Sequence, residues 1–566
     1  MLLTKIPARK KNDYYLTITD AYRENGKVKR RSVMKIGYLS DLKKEYEDPI
    51  AHFTEVAKKM TEEKKLTGGF QNVLIDFSEP GEDNKVFKTG SIIIEKMLKT
   101  FSLDYTFRKK RDESKIKCNI QKIFNFLVVN QILNPSSKLS AYESQENIYG
   151  YKNIKLHDVY RSLSYISDLS LQIQNQIYKN SSLFVERNLN TMYYDCTNYY
   201  FEIEVEDEFR KYGFSKEHRP NPIVQMGLFA DENGIPICFD LFKGSQNEQL
   251  SMVPIEKDFL NSKENPHLII CADAGLCSAN NKYFNSVQNR DYIFVQSLKK
   301  VKQYITDEIF DAKNDKWVIV SNKFKYYARP INDEITVKLT ENYQFKTKHE
   351  ANLIITYDQD FANYLKYVRE KRIEKALKII ASPSKYDKES AKDGKQYIKK
   401  VEFNSNGEII TKNLELDTEK IKDEEKYDGY YALITSLVNE DPIKVISINK
   451  KRWEIEDCFR VLKTDLKARP VYLTNENRIK THFLINFVAL TILKMLQKKL
   501  RETLTNEETT ISKILEAIRE MQIIEMNDNI FINGNINNLT REICKLIGLK
   551  LDNKFLKSNY LKTLID

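Results

Sequence analysis

The stretch HLIICADAG (His267–Gly275) decides the fold class, because it carries a buried strand into a turn through one acidic residue. Leu268–Ala272 form a short apolar run of the kind that fills a strand buried on both faces. Asp273 ends the run, and Gly275 and a polar segment open the next helix. Strands buried on both faces belong to α/β sheets with helices packed on either side. The stretch therefore predicts an α/β domain.

A second strand-like stretch, TMYYDCTNYYFEIE (Thr191–Glu204), contains Asp195 among β-branched and aromatic residues. Aspartate is depleted in strands, and removing a carboxylate from water costs several kcal/mol unless it is compensated. Each aspartate therefore needs an explanation. Two ordinary ones stay open at this point: Asp273 as the cap of a helix, and Asp195 as a turn residue.

A third acidic residue lies on a predicted helix, RWEIEDCFRVLK (Arg452–Lys463). Successive helical residues turn by about 100°, so Arg452, Glu456 and Lys463 fall within about 40° of one another. These charges form a stripe beside an apolar stripe. The apolar stripe consists of Ile455, Phe459, Leu462 and Leu466. Taken alone, the pattern favours a solvated face with an i,i+4 ion pair.

The order of these elements is more informative than any one of them. A strand with Asp195, a hairpin, a strand ending in Asp273 and a later helix with Glu456 follow the order of a ribonuclease-H-like catalytic core. Three carboxylates at one sheet edge repel one another unless divalent cations join them. Such a trio can hold two Mg²⁺ or Mn²⁺ ions about 3.5–4 Å apart. Arg452 and Lys463 would then bind DNA phosphates beside the ions.

Composition limits the class of function. With 566 residues the chain is too long for one core and predicts three or more domains. The net charge of +11 and pI near 8.9 favour a polyanionic partner, nucleic acid before membrane. Seven scattered cysteines without a Cys-x-x-Cys argue against disulfides and zinc and favour a reducing cytosol. Six histidines without ligand spacing leave carboxylates to hold any metal.

Neither a signal peptide nor a membrane span is predicted. The N-terminus has no apolar core of signal-peptide length. The longest apolar stretch, HFLINFVALTILKML (His482–Leu496), is too short and too polar to cross a bilayer. It predicts a buried core helix. We therefore expect a cytoplasmic, nucleoid-associated protein.

Changes in periodicity divide the chain into six segments. An Asn25-Gly26 turn between two β-type runs predicts an N-terminal hairpin, and helical spacing then alternates with strand patterns. The predicted segments are an N-terminal β-rich unit (1–85), a helical DNA-binding or dimerisation subdomain (86–185), the first part of the catalytic core (186–300), a β-rich insertion domain (301–425), the second part of the core (426–500) and a C-terminal helical tail (501–566).

Several stretches resemble the DDE transposases of bacterial insertion sequences, in the branch with the signature Y-x2-R-x3-E-x6-K. Arg452, Glu456 and Lys463 match the signature, and Asn449 stands at the tyrosine position. The most specific match is GFSKEHRPNPIVQMGLFADENGIPICFDLFKGSQNE (Gly213–Glu248).

Other blocks of the chain carry the same resemblance. YYDCTNYYFE resembles the first-aspartate strand of the family, and CADAGLCSANN resembles the second-aspartate motif, with Ala274 where many relatives have arginine. YDGYYALITS and RIKTHFLINFVALTIL are similar to the blocks that flank the glutamate. Because 183 positions separate Asp273 from Glu456 (456 − 273), against 78 between Asp195 and Asp273 (273 − 195), the insertion that the resemblance implies has room.

The resemblance implies a fold, a site and a reaction. The fold is α/β, a ribonuclease-H-like core interrupted by a mostly β insertion domain, with an N-terminal β-rich unit and helical subdomains. Asp195, Asp273 and Glu456 would be the catalytic and metal-binding residues, and Arg452 and Lys463 would bind DNA. Water would cut each transposon end, and the freed 3′-OH would attack target DNA. The partner would be double-stranded DNA, bound by a homodimer on paired ends.

Other functions stay open from the sequence. A metal-dependent nuclease or resolvase can use the same core, and a DNA-binding protein descended from a transposase can lack catalysis. The 33 tyrosines raise the question of a tyrosine recombinase, but that chemistry needs an Arg/His-rich pocket and the histidines are few and dispersed.

Overall fold

The computed structural model describes most of the chain in full atomic detail. The described residues are 1–7, 13–24, 27–67, 85–114, 116–217, 219–260, 267–311, 315–340, 342–382, 393–401, 413–527 and 530–565. They form a mixed α/β protein with large sheets and many helices. The chain divides into two compact units, one of Met1–Ser162 with Leu496–Asp566 and one of Leu163–Met495.

The strands are numbered in chain order. They are β1 (Leu2–Pro7), β2 (Tyr14–Glu24), β3 (Lys27–Tyr38), β4 (Val86–Lys88), β5 (Thr191–Tyr200), β6 (Ile223–Asp231), β7 (Pro236–Lys243), β8 (Leu268–Ala272), β9 (Arg290–Gln296), β10 (Val318–Ile319), β11 (Phe324–Thr340), β12 (Tyr343–Asp358), β13 (Ile398–Val401), β14 (Asn413–Leu416), β15 (Tyr430–Thr435), β16 (Gln522–Asn527), β17 (Ile530–Asn533) and β18 (Phe555–Lys557).

The α-helices are numbered in the same way. They are α1 (Leu39–Leu42), α2 (Pro49–Thr67), α3 (Gly90–Thr100), α4 (Asp104–Asp112), α5 (Ile120–Leu133), α6 (Lys138–Glu143), α7 (Leu156–Ser167), α8 (Ser170–Ser181), α9 (Met252–Leu260), α10 (Ala279–Phe284), α11 (Gln303–Phe310), α12 (Gln359–Ala381), α13 (Thr418–Glu425), α14 (Pro442–Lys450), α15 (Trp453–Arg460), α16 (Glu476–Leu500), α17 (Ile511–Glu520), α18 (Asn538–Leu546) and α19 (Ser558–Ile565).

The N-terminal part of the first unit is a three-stranded antiparallel sheet in the order β1-β2-β3. Leu16 of β2 packs with Leu42 and Phe53 of the two helices that follow, so one face of the sheet is covered. The predicted hairpin is present, since β2 and β3 pair as far as Glu24 and Lys27, and its turn residues 25–26 lie outside the described residues. Strand β3 lies at an edge and presents four exposed cations. They are Lys29, Arg30, Arg31 and Lys35.

The C-terminal segment departs from the sequence prediction. Residues 501–566 were expected to be helical, and they do contain α17, α18 and α19. They also contain β16, β17 and β18, which form a four-stranded sheet with β4 in the order β18-β17-β16-β4. Strands of three to six residues carry too little periodicity to be recognised beside helical neighbours.

The second unit is built on a nine-stranded sheet in the order β10-β11-β12-β15-β9-β8-β5-β6-β7. Strands β5, β6 and β7 are antiparallel neighbours, whereas β8 and β9 run parallel to β5. Every residue of β8 is buried, as the apolar run of HLIICADAG predicts. The predicted hairpin of β6 and β7 is also present, with Gly234 in the left-handed conformation at its turn (φ +70°).

The segment 301–425 contributes strands to the same sheet. Strands β11 and β12 form a long antiparallel hairpin, and β12 pairs with β15, which pairs with β9. Helix α12 covers the stretch near 361–380 where helical spacing interrupts the strand pattern. The same segment also holds the small separate pair β13 and β14.

Helix α16 is a core helix, as its sequence predicts. By length and composition it passes for a membrane span, but nearly all of its apolar window is buried inside the protein. Phe483 packs against the ring of Tyr199, and Phe487 packs against Phe239. Its burial among strand side chains explains the length of the apolar run.

A buried ion pair fixes the β6–β7 turn. Arg187 donates through Nε to Asp231 at 2.5 Å, and through its other nitrogens to Ser181 and to the carbonyls of Ile235 and Pro236. Asp231 also accepts the backbone N–H groups of Asn233 and Ile235. Both side chains of the pair are almost completely buried.

We expect Arg187→Met to destabilise the second unit by about 3–5 kcal/mol, because it leaves the buried Asp231 charge without its partner. Both tryptophans of the chain, Trp317 and Trp453, lie in this unit, so urea unfolding followed by tryptophan fluorescence reports on it alone. The matched control is Lys371→Met, which breaks an exposed pair with Glu374 and should change the stability by less than about 1 kcal/mol. Equal effects of the two variants would contradict the assignment.

Candidate functional site

Two aspartates lie side by side in the middle of the large sheet. Strands β5 and β8 run parallel, and their last register pair joins Tyr194 to Ala272. Asp195 and Asp273 each follow that pair by one residue. The strand register therefore places the two aspartates at neighbouring positions. Asp195 lies within β5, and Asp273 directly follows the end of β8.

Asp195 is a strand residue and not a turn residue. It pairs with Leu228 of β6, and its Oδ1 accepts the N–H of Cys196 at 2.7 Å. Burial raises the pKa of Asp195 to about 6, and the neighbouring Asp273 carboxylate adds to the rise. Lys216 and Arg452 act in the opposite direction. The site therefore holds an aspartate whose negative charge is only partly compensated.

Asp273 caps a turn but not the following helix, which corrects the explanation of this residue as a helix cap. Its Oδ1 accepts the N–H of Ala274 at 2.8 Å, at the start of a single 3₁₀ turn. The following helix α10 is capped instead by Ser278. The cap and the place beside Asp195 are compatible, because the capping bond uses one carboxylate oxygen.

Glu456 lies in the first turn of α15, a helix that packs against β5. Its side chain is 54% exposed and its Oε1 is 3.0 Å from Nη1 of Arg452. Within the described ranges, no three His, Cys, Asp or Glu side chains are close enough to share one metal ion. The structure thus brings Asp195 and Asp273 together and places the Glu456 carboxylate on Arg452.

Arg452 connects the glutamate to the aspartates. Burial opposes the charge of its guanidinium, but Asp273, Tyr431 and Glu456 outweigh this and raise its pKa. It also lowers the pKa of Asp195. Its Nε is buried and has no hydrogen-bond partner among the described residues. Arg452 therefore lies between the carboxylates on the strands and the carboxylate on the helix.

The regular helical geometry on which the angular prediction for Lys463 rests does not continue to that residue. The α-helix ends at Arg460, and residues Val461–Asp465 form a π-helical turn, so the count of about 100° per residue no longer applies. Lys463 is only 18% exposed, and its Nζ donates to Oγ1 of Thr197 on β5 at 2.8 Å. The lysine thus faces the strand that carries Asp195.

Several residues near the site were missed by the sequence analysis. Lys216 donates through Nζ to the carbonyl of Cys196, and the Asp195 carboxylate favours its charged form. Glu217 pairs with Lys463 and Arg469. Loop residues have no periodic signal, so only the similarity of the GFSKEHRP block to a known family pointed to this region.

The structure also shows the surroundings of Asn449, the residue at the tyrosine position of the signature. Asn449, which replaces the tyrosine, hydrogen-bonds to the side chain of Tyr431 on β15. Tyr431 interacts electrostatically with both Asp273 and Arg452. A phenol therefore lies beside the aspartate pair although residue 449 does not supply it.

The donor set fits a hard divalent cation. Asp195 and Asp273 present carboxylate oxygens, the ligands that Mg²⁺ and Mn²⁺ prefer. Burial is the main cause of the raised pKa of Asp195 and the Asp273 carboxylate adds to it, so a cation between the two carboxylates would favour the charged form of Asp195.

Two family models match the chain. Residues 200–492, more than half of the chain, match the family model described as transposase DDE domain. Residues 3–69 match the N-terminal domain of the IS1634 family transposases. No curated protein matches the chain.

Among the solved structures with a distant likeness to the chain is a piggyBac transposase synaptic complex with hairpin DNA, studied by cryo-EM. The TM-score is 0.38 and the identity 8%, over 86% of this chain and 87% of the other. A likeness of this size does not establish a shared fold.

The raised pKa of Asp195 predicts a pH-dependent stability. Between about pH 4 and pH 6 the folded protein binds this proton more tightly than the unfolded chain, so stability falls as pH rises through that window. In chelator, we expect Asp195→Asn to be more stable than the wild type at pH 8, by about 1–2 kcal/mol, with the difference vanishing near pH 4.

The control variant, Asp457→Asn, should change the stability at pH 8 in the opposite direction. Burial alone would raise the pKa of Asp457, but Lys494 and Arg460 lower it, so Asp457→Asn should lose stability at pH 8. Urea unfolding at several pH values measures both variants. If the stability of the wild type and of Asp195→Asn depended on pH in the same way, the charge of Asp195 would not be the partly compensated charge described above.

Proposed function

The chain belongs to the DDE transposases of insertion sequences, and from that premise we propose that Asp195, Asp273 and Glu456 are its three catalytic acids. A DDE transposase cuts DNA and joins it to a new site. The observation that carries the proposal is the adjacency of the Asp195 and Asp273 carboxylates, with Arg452 connecting them to Glu456. Carboxylates of separate elements converge in this way where a site binds cations.

The catalytic core proposed here is ribonuclease-H-like. It consists of β7-β6-β5-β8-β9, and the support is the strand order together with three antiparallel strands followed by two strands parallel to β5. The segment 301–425 is the proposed insertion, because it lies between the strand that bears Asp273 and the helix that bears Glu456. The segments 1–85, 86–185 and 501–566 are the proposed accessory parts.

Glu456 completes the site by releasing Arg452. The exposed glutamate side chain has room to change rotamer, and α15 already packs against the strand of Asp195. The released guanidinium of Arg452 becomes available to a DNA phosphate, for which its paired N–H groups are suited. One movement would therefore add a carboxylate to the metal site and a cation to the DNA site.

The proposed reaction has two steps. Water attacks the phosphodiester at each element end and breaks the P–O bond to the 3′ oxygen, which leaves a 3′-OH on the element and a 5′-phosphate on the flanking DNA. The 3′-OH then attacks a phosphodiester of target DNA, forms a new P–O bond and releases the 3′ oxygen of the target strand as a hydroxyl. Two Mg²⁺ or Mn²⁺ ions, when bound, would polarise the attacking and the leaving oxygens. Asp195, Asp273 and Glu456 hold the cations, while Arg452 and Lys463 orient the phosphate that is attacked.

The proposed partner is double-stranded DNA, both element ends and target. The exposed cations of β3 and the net charge of +11 support DNA contacts beyond the site. A homodimer on paired ends, present at the nucleoid in the cytoplasm, is part of the same proposal.

We expect Asp195→Asn, Asp273→Asn and Glu456→Gln each to lower end cleavage by at least about 10³-fold while end binding changes less than about threefold. Each change removes a charged oxygen ligand and keeps the shape of the side chain. A nicking assay and a gel shift, both on a duplex from the element end, measure the two activities.

The matched control is Glu440→Gln, which removes a carboxylate from an exposed pair with Lys444 and should leave cleavage unchanged. A variant of the trio that still cleaves at the wild-type rate would remove that residue from the metal site. Cleavage without joined products would favour a nuclease over a transposase.

Lys463→Ala should weaken end binding and reduce the slope of log K against log salt by about one, because one phosphate contact is lost. Fluorescence anisotropy of a labelled end duplex at several salt concentrations gives the slope. The control Lys444→Ala removes an exposed lysine of α14 and should leave the slope unchanged. An unchanged slope in Lys463→Ala would argue against a phosphate contact at this lysine.

A further inference from the structure

The loop between β5 and β6 places two oppositely charged neighbours, Lys216 and Glu217, at the candidate site. The loop is attached to β5 through Asn198, which donates to the carbonyl of Phe214 at 2.9 Å and accepts the N–H of Lys216 at 3.3 Å. This attachment fixes where the two charged side chains begin. They then point to groups of opposite charge.

Lys216 carries a positive charge toward the acidic pair. Its Nζ donates to the carbonyl of Cys196, the residue after Asp195, and lies 3.4 Å from Oε1 of Glu248. The Asp195 carboxylate stabilises the Lys216 ammonium. An ammonium therefore compensates part of the charge that a metal ion would compensate.

Glu217 carries a negative charge to the basic side of the site. Its Oε1 lies 3.6 Å from Nζ of Lys463 and forms an ion pair with Nη1 of Arg469. Lys463 also donates a hydrogen bond to Oγ1 of Thr197, which fixes the position of its ammonium group beside β5. Glu217 is 27% exposed, which means that its carboxylate is partly removed from water.

An aromatic ring supports one of the two cations that pair with Glu217. The guanidinium group of Arg469 lies 5.4 Å from the ring centroid of Tyr200, and Arg219 lies 4.1 Å from the same centroid. A cation–π contact of this kind restrains a guanidinium while its N–H groups stay available to an anion. Two cations, Lys463 and Arg469, therefore pair with one carboxylate.

A carboxylate between an arginine and a lysine has the charge and the paired oxygens of a nucleic-acid phosphate. We propose that Glu217 occupies the place of a DNA phosphate on Lys463 and Arg469, and that the Lys216–Glu217 loop is displaced when element-end DNA binds. The proposal rests on the proposed function only for the statement that Lys463 contacts DNA. It adds a group that competes with DNA and a second phosphate-binding residue, Arg469.

The proposal predicts a measurable change in the salt dependence of binding. In the wild type, added salt weakens the internal ion pairs of Glu217 as well as the DNA contacts, and this partly offsets the loss of affinity. In Glu217→Gln that offset is absent, so log K should fall more steeply with log salt than in the wild type. The affinity for an end duplex should rise about tenfold at low salt, because no internal ion pair has to be broken.

A purely structural ion pair predicts the reverse. If Glu217 only fixes the loop, its removal leaves Lys463 and Arg469 unpaired, lowers stability and weakens DNA binding or leaves it unchanged. Affinity and melting temperature together therefore separate the two roles.

The test uses the full chain in chelator, so that no cleavage occurs, and fluorescence anisotropy with a labelled duplex from the element end. Glu440→Gln is the matched control. Glu440 pairs with one lysine and is 28% exposed, and its substitution changes the net charge by the same amount as Glu217→Gln. Its affinity and salt slope should equal those of the wild type. A scrambled duplex of equal length should gain as much from Glu217→Gln as the end duplex gains, because phosphate contacts do not read sequence.

Two further variants locate the effect. Glu217→Asp keeps the charge but shortens the reach to Arg469, and should raise affinity about threefold; it also decides the question if Glu217→Gln does not fold. In an Arg469→Gln background, the gain from Glu217→Gln should fall below about twofold, because the two residues act through one site.

A folded Glu217→Gln or Glu217→Asp variant that binds the end duplex no better than the wild type would overturn the proposal. If Lys463→Ala still weakens binding in that case, the proposed function stands and only the role of Glu217 fails. A wild type that does not bind end DNA at all would instead contradict the proposed function.

Discussion

The parallel pairing of β5 with β8 is the constraint on which the site depends. It sets Asp195 and Asp273 at neighbouring positions, one residue beyond the pair formed by Tyr194 and Ala272. Because the strands are buried in a sheet, neither aspartate can withdraw to solvent without breaking backbone hydrogen bonds. The carboxylates are thus held together, and the pKa of Asp195 is raised mainly by its burial and to a smaller extent by the neighbouring Asp273 carboxylate.

The charged side chains around the candidate site form two groups. Arg452 and Lys216 stand next to the acidic pair, and Glu217 pairs with Lys463 and Arg469. A cation at the first group and a phosphate at the second would replace these internal partners. In the proposed scheme the same side chains pair with one another in the absence of DNA and would be released to bind metal and DNA, and the exposed Glu456 on Arg452 fits that scheme.

The sequence predicts those residues of the candidate site that stand out because they lie in or next to buried apolar strands. A carboxylate within or at the end of an apolar strand is unusual enough to identify Asp195 and Asp273, and the hairpin and the core helix α16 follow from turn residues and apolar length. The π turn at Val461–Asp465 could not be predicted, since VLKTD has an ordinary helical pattern. The partners of Lys216 and Glu217 could not be predicted either, because tertiary contacts and not local periodicity fix a loop.

The central claim is that Asp195, Asp273 and Glu456 share divalent ions when DNA is bound. The most direct measurement is a structure of the protein with element-end duplexes and Mn²⁺, with the ions located by anomalous scattering. The account predicts manganese between Asp195 and Asp273, with the Glu456 carboxylate turned toward it and away from Arg452. Manganese bound elsewhere, or a Glu456 carboxylate that remains on Arg452 in the DNA complex, would contradict it.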